Sequence, residues 1–211
     1  GLVARLSQQL QLDRVADLPM LLDCVFDENF DVPVTVYARE ETLDAISRHI
    51  FNDVIWPDFT RIPEPGRAML VYRVLNPGQT VTIGHRDFHA VDVSHSVPSL
   101  CYTVQNSGCV FDDRGDTKTN RTLWPALNAV DDLRVLVIEV SFPDEQGELA
   151  EASGHYTPQT MCRDLERLEH DPEIWLTGMK PGVEDRIYAQ VLKAAPGKRI
   201  RMLSRGTVID V

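Results

Sequence analysis

Apolar and polar positions alternate along this chain with two periods, one close to 3.6 residues and one close to 2. Residues 15–24 are apolar enough for a short helix, and Val32-Pro33-Val34-Thr35-Val36-Tyr37 has the β-branched content of a buried strand. Leu43, Ile46, Ile50 and Phe51 recur at helical spacing and predict a helix over residues 40–51. Residues 52–65, with Trp56-Pro57 among them, read as a loop. Three strand-like runs follow at 69–74, 80–83 and 88–93, set apart by Pro-Gly and charged turns.

In the second half, strands and helices alternate. Residues 100–104 and 109–111 read as neighbouring strands and 120–129 as a helix. The run Leu133-Arg134-Val135-Leu136-Val137-Ile138-Glu139-Val140 is nearly continuous in apolar residues, the pattern of a strand covered on both faces. Thr157 followed by Pro158 is a helix start, an N-cap with proline in the first turn, so a helix is expected from Pro158 to about His170. A short strand at 174–177, a helix at 183–193 and a terminal hairpin of 200–203 with 207–211 complete the pattern. With no internal repeat, low-complexity segment or linker, it predicts one layered α/β domain over residues 1–211.

Composition narrows the function. A chain of 211 residues with 43% hydrophobic and 25% charged content suits one soluble globular domain. No apolar run approaches the roughly 18 residues of a membrane span, and the first residues lack the pattern of a secretion signal, so a cytoplasmic protein is expected. The formal charge of −11 argues against general nucleic-acid binding, which draws its affinity from basic surfaces, but leaves room for a small anion held by local positive charge. Cys24, Cys101, Cys109 and Cys162 are scattered without a Cys-x-x-Cys pair and read as free thiols. His85 and His89 invite a metal assignment, yet four residues along a strand separate side chains by about 13 Å, too far for a shared ion. Trp56, Trp124 and Trp175 read as core or loop anchors.

The chemistry lies in a series of short polar landmarks. Gln9-Leu10-Gln11-Leu12-Asp13-Arg14 opens the series, followed by Ser94-His95-Ser96-Val97-Pro98-Ser99, Gly115-Asp116-Thr117 and Glu139-Val140-Ser141-Phe142-Pro143. Ser153-Gly154-His155-Tyr156-Thr157-Pro158 and Thr177-Gly178-Met179-Lys180-Pro181 close it. In this order and at these separations the landmarks resemble those of the class II cyclic-nucleotide phosphodiesterases, a branch of the metallo-β-lactamase fold. That family carries His-x-His-x-Asp-His where this chain has Gln-x-Gln-x-Asp-Arg.

The resemblance implies an αββα sandwich. It also implies one that lacks the usual N-terminal strands, since members place several strands ahead of the first metal loop and only eight residues precede Gln9 here. Carried over position by position, the first metal of the family would be held at Gln9, Gln11, His95 and Asp116, and the second at Asp13, Arg14, Asp116 and Gly178. Asp13, His95 and Asp116 are the residual candidate ligands. An amide oxygen is a weak donor to zinc-like ions, and a guanidinium has no lone pair to give. Arg14 also brings a fixed positive charge, which repels a cation and favours pairing with Asp13 or Asp116.

The expectation is therefore a divergent phosphodiesterase-like protein with a degraded dinuclear centre, a weak or inactive hydrolase retained for ligand binding or regulation. Asp13 and His155 are the candidate catalytic residues, and Arg14 and Lys180 the candidate contacts to a cyclic nucleotide or other small phosphate ligand. No cofactor is expected, or a single weakly bound zinc, manganese or iron ion. One alternative is a hydrolase working with that one metal. The other is a structural or interaction domain whose open sheet edge is covered by a partner domain or a second copy.

Overall fold

In the computed structural model, which describes residues 4–6, 15–26, 32–93, 98–105, 109–111 and 121–209, the long apolar run becomes an inner strand of a seven-stranded sheet. This strand, β10 (Val135–Glu139), is buried at every position. It lies parallel to β9 (Cys109–Phe111) on one side and β11 (Glu173–Thr177) on the other. Beyond β11 runs β12 (Ile200–Met202), also parallel. Beyond β9 the sheet turns antiparallel through β8 (Ser99–Gln105), β7 (Arg86–Val93) and β6 (Thr80–Ile83). A second sheet of β1 (Ala4–Leu6), β2 (Val34–Ala38) and β5 (Leu70–Val74) is parallel throughout.

Alternation along the strands then sets the layers. The residues Val34, Val36 and Ala38 leave β2 on one face, where they pack with Leu18 and Leu22 of α1 (Asp17–Cys24) and Leu43 and Ile46 of α2 (Glu40–His49). The opposite face of that sheet, through Leu6 and Tyr37, meets Leu75, Ala90, Leu100 and Tyr102, residues on or beside the large sheet. On its far side the large sheet buries Leu136, Ile138, Ile174 and Leu176. The helices covering them include α3 (Leu123–Asn128), α5 (Pro158–Leu165) and α6 (Glu184–Ala194), through Trp124, Met161, Ile187 and Val191. The order of layers is helix, sheet, sheet, helix, as in a metallo-β-lactamase-like sandwich.

Several elements differ from the sequence pattern. A strand, β1, precedes Gln9 and pairs with β2 in register from Ala4 opposite Thr35. A small hairpin of β3 (Pro63–Glu64) and β4 (Arg67–Ala68) begins inside the stretch predicted as a loop over 52–65. A 3₁₀ turn over Asp144–Gln146 and a helix α4 (Gly147–Ser153) fill a stretch the periodicity left blank, because of its residues only Ala150 is buried. The expected terminal hairpin does not form among the described residues. Ile200–Met202 pairs with β11 instead, and the chain then turns at Gly206, where φ is +85°, so that Leu203 and Ile209 cover Val135, Val137 and Trp175. The helix expected to reach His170 ends at Leu165.

His85 lies in the turn after β6, while His89 lies within β7 with its Nδ1 3.1 Å from the Thr80 hydroxyl. Cys24, Cys101 and Cys162 take part in no disulfide bond among the described residues. No helix among the described residues is long and apolar enough to cross a membrane.

Candidate functional site

The carboxyl ends of β10 and β11 gather three of the sequence landmarks into one place. Backbone hydrogen bonds join them: Val140 N–H donates to Thr177 O at 3.0 Å, Ser141 N–H to Tyr156 O at 3.1 Å and Lys180 N–H to Ser141 O at 3.1 Å. Segments far apart in the chain thus share a local framework, and their side chains converge because the framework fixes where each one leaves the backbone.

His155 is delivered by a helix-ending turn. Gly154 follows α4 with φ +80°, a left-handed conformation that glycine adopts without Cβ strain, and His155 N–H bonds back to Ala150 O at 2.9 Å. Two residues later Thr157 starts α5. Its side chain accepts from the Thr160 N–H while the Thr160 hydroxyl accepts from the Thr157 N–H, with Pro158 in the first turn. His155 and Tyr156 are therefore held between a closed helix end and a capped helix start.

The polar centre is Glu139, with no exposed surface. Its Oε1 accepts the Tyr156 N–H at 3.0 Å and its Oε2 accepts the Ser141 hydroxyl at 2.7 Å. The Ser141 Oγ also lies 3.1 Å from His155 Nδ1 and 3.0 Å from the Gly178 carbonyl oxygen, and His155 Nδ1 is 3.5 Å from Glu139 Oε1. Phe142 stands beside this cluster. The His155 ring meets it edge-on with centroids 5.6 Å apart, and Lys180 Nζ lies 5.5 Å from its centroid, within cation–π range. A cavity of about 380 Å³ opens next to it, lined by the Thr177–Pro181 loop, Glu184 and Leu203.

Of the residues singled out in the sequence, the structure thus brings together His155, Lys180 and Gly178. Gln9, Gln11, Asp13, Arg14, His95 and Asp116 lie outside the described residues. Among the described residues no group of three histidine, cysteine or acidic side chains is arranged to hold a metal ion. Glu139, at the end of a buried strand, satisfies a backbone donor, the Tyr156 N–H. Ser141 was not singled out, although the Glu-x-Ser spacing carries a signal: residues two apart in extended chain leave by the same face.

No family model matches the chain. Two curated proteins do. It is 28% identical over 155 residues to a probable 3',5'-cyclic-nucleotide phosphodiesterase of Yersinia pestis, covering 66% of this chain and 45% of that protein. It is 30% identical over 88 residues to 3',5'-cyclic-nucleotide phosphodiesterase 1 of Saccharomyces cerevisiae, covering 41% of this chain and 23% of that one. The matched part is less than half the length of either relative. Among solved structures, unliganded yeast PDE1 superposes with a TM-score of 0.77 at 18% identity, over 95% of this chain and 65% of that one. The metallo-β-lactamase fold protein YhfI of Bacillus subtilis superposes with a TM-score of 0.70 at 16% identity, over 98% of this chain and 76% of that one. At such identities the superpositions establish the fold.

Proposed function

Because the chain is a relative of the class II cyclic-nucleotide phosphodiesterases on the metallo-β-lactamase fold, we propose that it binds a cyclic nucleotide or related small phosphoester at the carboxyl ends of β10 and β11. In this reading it is a weak or inactive hydrolase, kept for ligand binding or regulation, with a degraded dinuclear centre. The supporting observation is a contrast between two sets of residues. The Glu139–Ser141–His155 cluster is complete, whereas the residues at the family's metal positions do not fit two divalent ions.

The misfit is one of donor chemistry. Gln9 and Gln11 offer neutral amides and Arg14 a guanidinium, while Gly178 has no side chain and its carbonyl oxygen lies 3.0 Å from the Ser141 hydroxyl oxygen. Asp13, His95 and Asp116 remain, one imidazole and two carboxylates, enough for a single weak divalent site and too few for two. Without a metal to acidify it, water near neutral pH is a poor nucleophile. What the remaining side chains supply is recognition: Lys180 and Arg14 offer positive charge to a phosphate, and His155 is held at the site through its Nδ1. Asp13 stays the candidate catalytic carboxylate for whatever turnover survives.

Elemental analysis by mass spectrometry, paired with titration calorimetry against cyclic AMP, tests this. Well under one metal per chain is expected, with binding that weakens about tenfold or more in Lys180→Ala, the scale of a lost charged hydrogen bond. Near two equivalents of zinc, manganese or iron, with turnover at about 1–10³ s⁻¹, would overturn the reading. One tightly held metal, lost in Asp116→Ala, would replace it with the one-metal hydrolase.

A further inference from the structure

Proton counting at Ser141 goes beyond ligand recognition. A serine hydroxyl has one hydrogen to donate and two lone pairs to accept with. Three partners surround the Ser141 Oγ: Glu139 Oε2 at 2.7 Å, the Gly178 carbonyl oxygen at 3.0 Å and His155 Nδ1 at 3.1 Å. The carbonyl can only accept, and so can Glu139 as a carboxylate. The single hydroxyl hydrogen is then committed on that side, and the oxygen turns a lone pair toward the imidazole. His155 Nδ1 must carry the hydrogen for the contact to be a bond. Glu139 Oε1, 3.5 Å from the same nitrogen, pulls in the same direction.

We propose that Ser141 is a positioning residue that holds neutral His155 in its Nδ1–H tautomer and ties the imidazole to the Gly178–Lys180 loop. The tie has two strands, since the Ser141 side chain meets the Gly178 carbonyl while its own carbonyl accepts the Lys180 N–H at 3.1 Å. An Nδ1–H imidazole presents Nε2 as an acceptor. Any ligand group that meets this nitrogen is then a donor, a hydroxyl or a water, and the phosphate oxygens, which only accept, are left to Lys180. The assignment of partners rests on the ligand-binding reading above; the tautomer does not.

The test separates the two. The protein is labelled with ¹⁵N-histidine, and His155 is identified among the six histidines by its loss in His155→Gln. Long-range ¹H–¹⁵N spectra at a pH where the ring is neutral then report which nitrogen is protonated. The wild type is expected to show Nδ1–H. Ser141→Ala is expected to move the tautomer ratio toward Nε2–H by about tenfold, the scale of one hydrogen bond, and Ser141→Thr, which keeps the hydroxyl, to restore it. An Nε2–H ring in the wild type would overturn the proposal, as would an unchanged tautomer in a folded Ser141→Ala. Should Ser141→Ala not fold, the wild-type and Ser141→Thr spectra decide it alone: Nδ1–H in both supports it, and Nε2–H in either overturns it. Failure of cyclic AMP to bind, with the Nδ1–H ring in place, would count against the ligand reading and leave this one standing.

Discussion

Taking a carboxylate out of water is tolerated only where donors replace its lost hydration. Glu139 meets that condition with the Tyr156 N–H and the Ser141 hydroxyl on its two oxygens and the His155 imidazole close by. Converting it to the amide keeps the shape and removes one acceptor, setting an NH₂ group against a hydrogen that was being accepted. Glu139→Gln is therefore expected to lower stability by about 1–3 kcal/mol in urea unfolding, the cost of a buried polar group left with the wrong partner. A midpoint equal to that of the wild type would mean these donors have other acceptors. The Glu139–Ser141 pair left only a spacing in the sequence, two residues apart where a buried strand ends, and that spacing was not singled out because it does not by itself name a bond. His155 was legible as a landmark, but its bond to Ser141 was not, because it spans 14 residues and depends on the turn at Gly154.

Elements were legible in proportion to the strength of their local signals. Helix α5 is the clearest case, since Thr157, Pro158 and Thr160 carry the capping chemistry in four consecutive positions. Thr157→Ala should cost about 1–2 kcal/mol, the usual value of an N-cap, read as a shift in the urea midpoint at unchanged slope. An unchanged midpoint would assign the cap to the Thr160 side chain alone. Elsewhere the local signal ran out. Helix α4 turns only Ala150 inward and leaves Leu149 half exposed, so it has almost no apolar stripe to detect. Strand β1 is three residues long, and its identity as a strand comes from pairing with β2 rather than from its own composition. The end of the chain misled for a related reason: Ile200–Met202 is a strand, but its partner is β11, across the helix α6, and no local pattern names a partner.

Across the whole molecule, the absence of a linker in the sequence predicts one cooperative unit, and the layers supply a way to test it. Each tryptophan reports on a different core. Trp56 packs at the edge of the cluster between α1, α2 and the small sheet, and Trp124 is enclosed in the cluster under α3, α5 and α6. Trp175 packs with Val135 and Val137 on the other face of the large sheet, under the terminal segment. The two sheets meet through the smaller cluster around Leu75, Ala90, Leu100 and Tyr102, so that cluster must couple them if the chain unfolds as one. Three variants that each retain one tryptophan, with phenylalanine at the other two positions, should give coincident urea transitions by fluorescence, the mark of two-state unfolding. The substitutions lower stability together, so each midpoint is compared with that of the same variant followed by far-ultraviolet circular dichroism. An early Trp56 transition would separate the small sheet and its helices as a subunit of stability. An early Trp175 transition alone would locate the weak point in the terminal segment, which stands beside the Gly178–Lys180 loop through Leu203 and so bears on the candidate site.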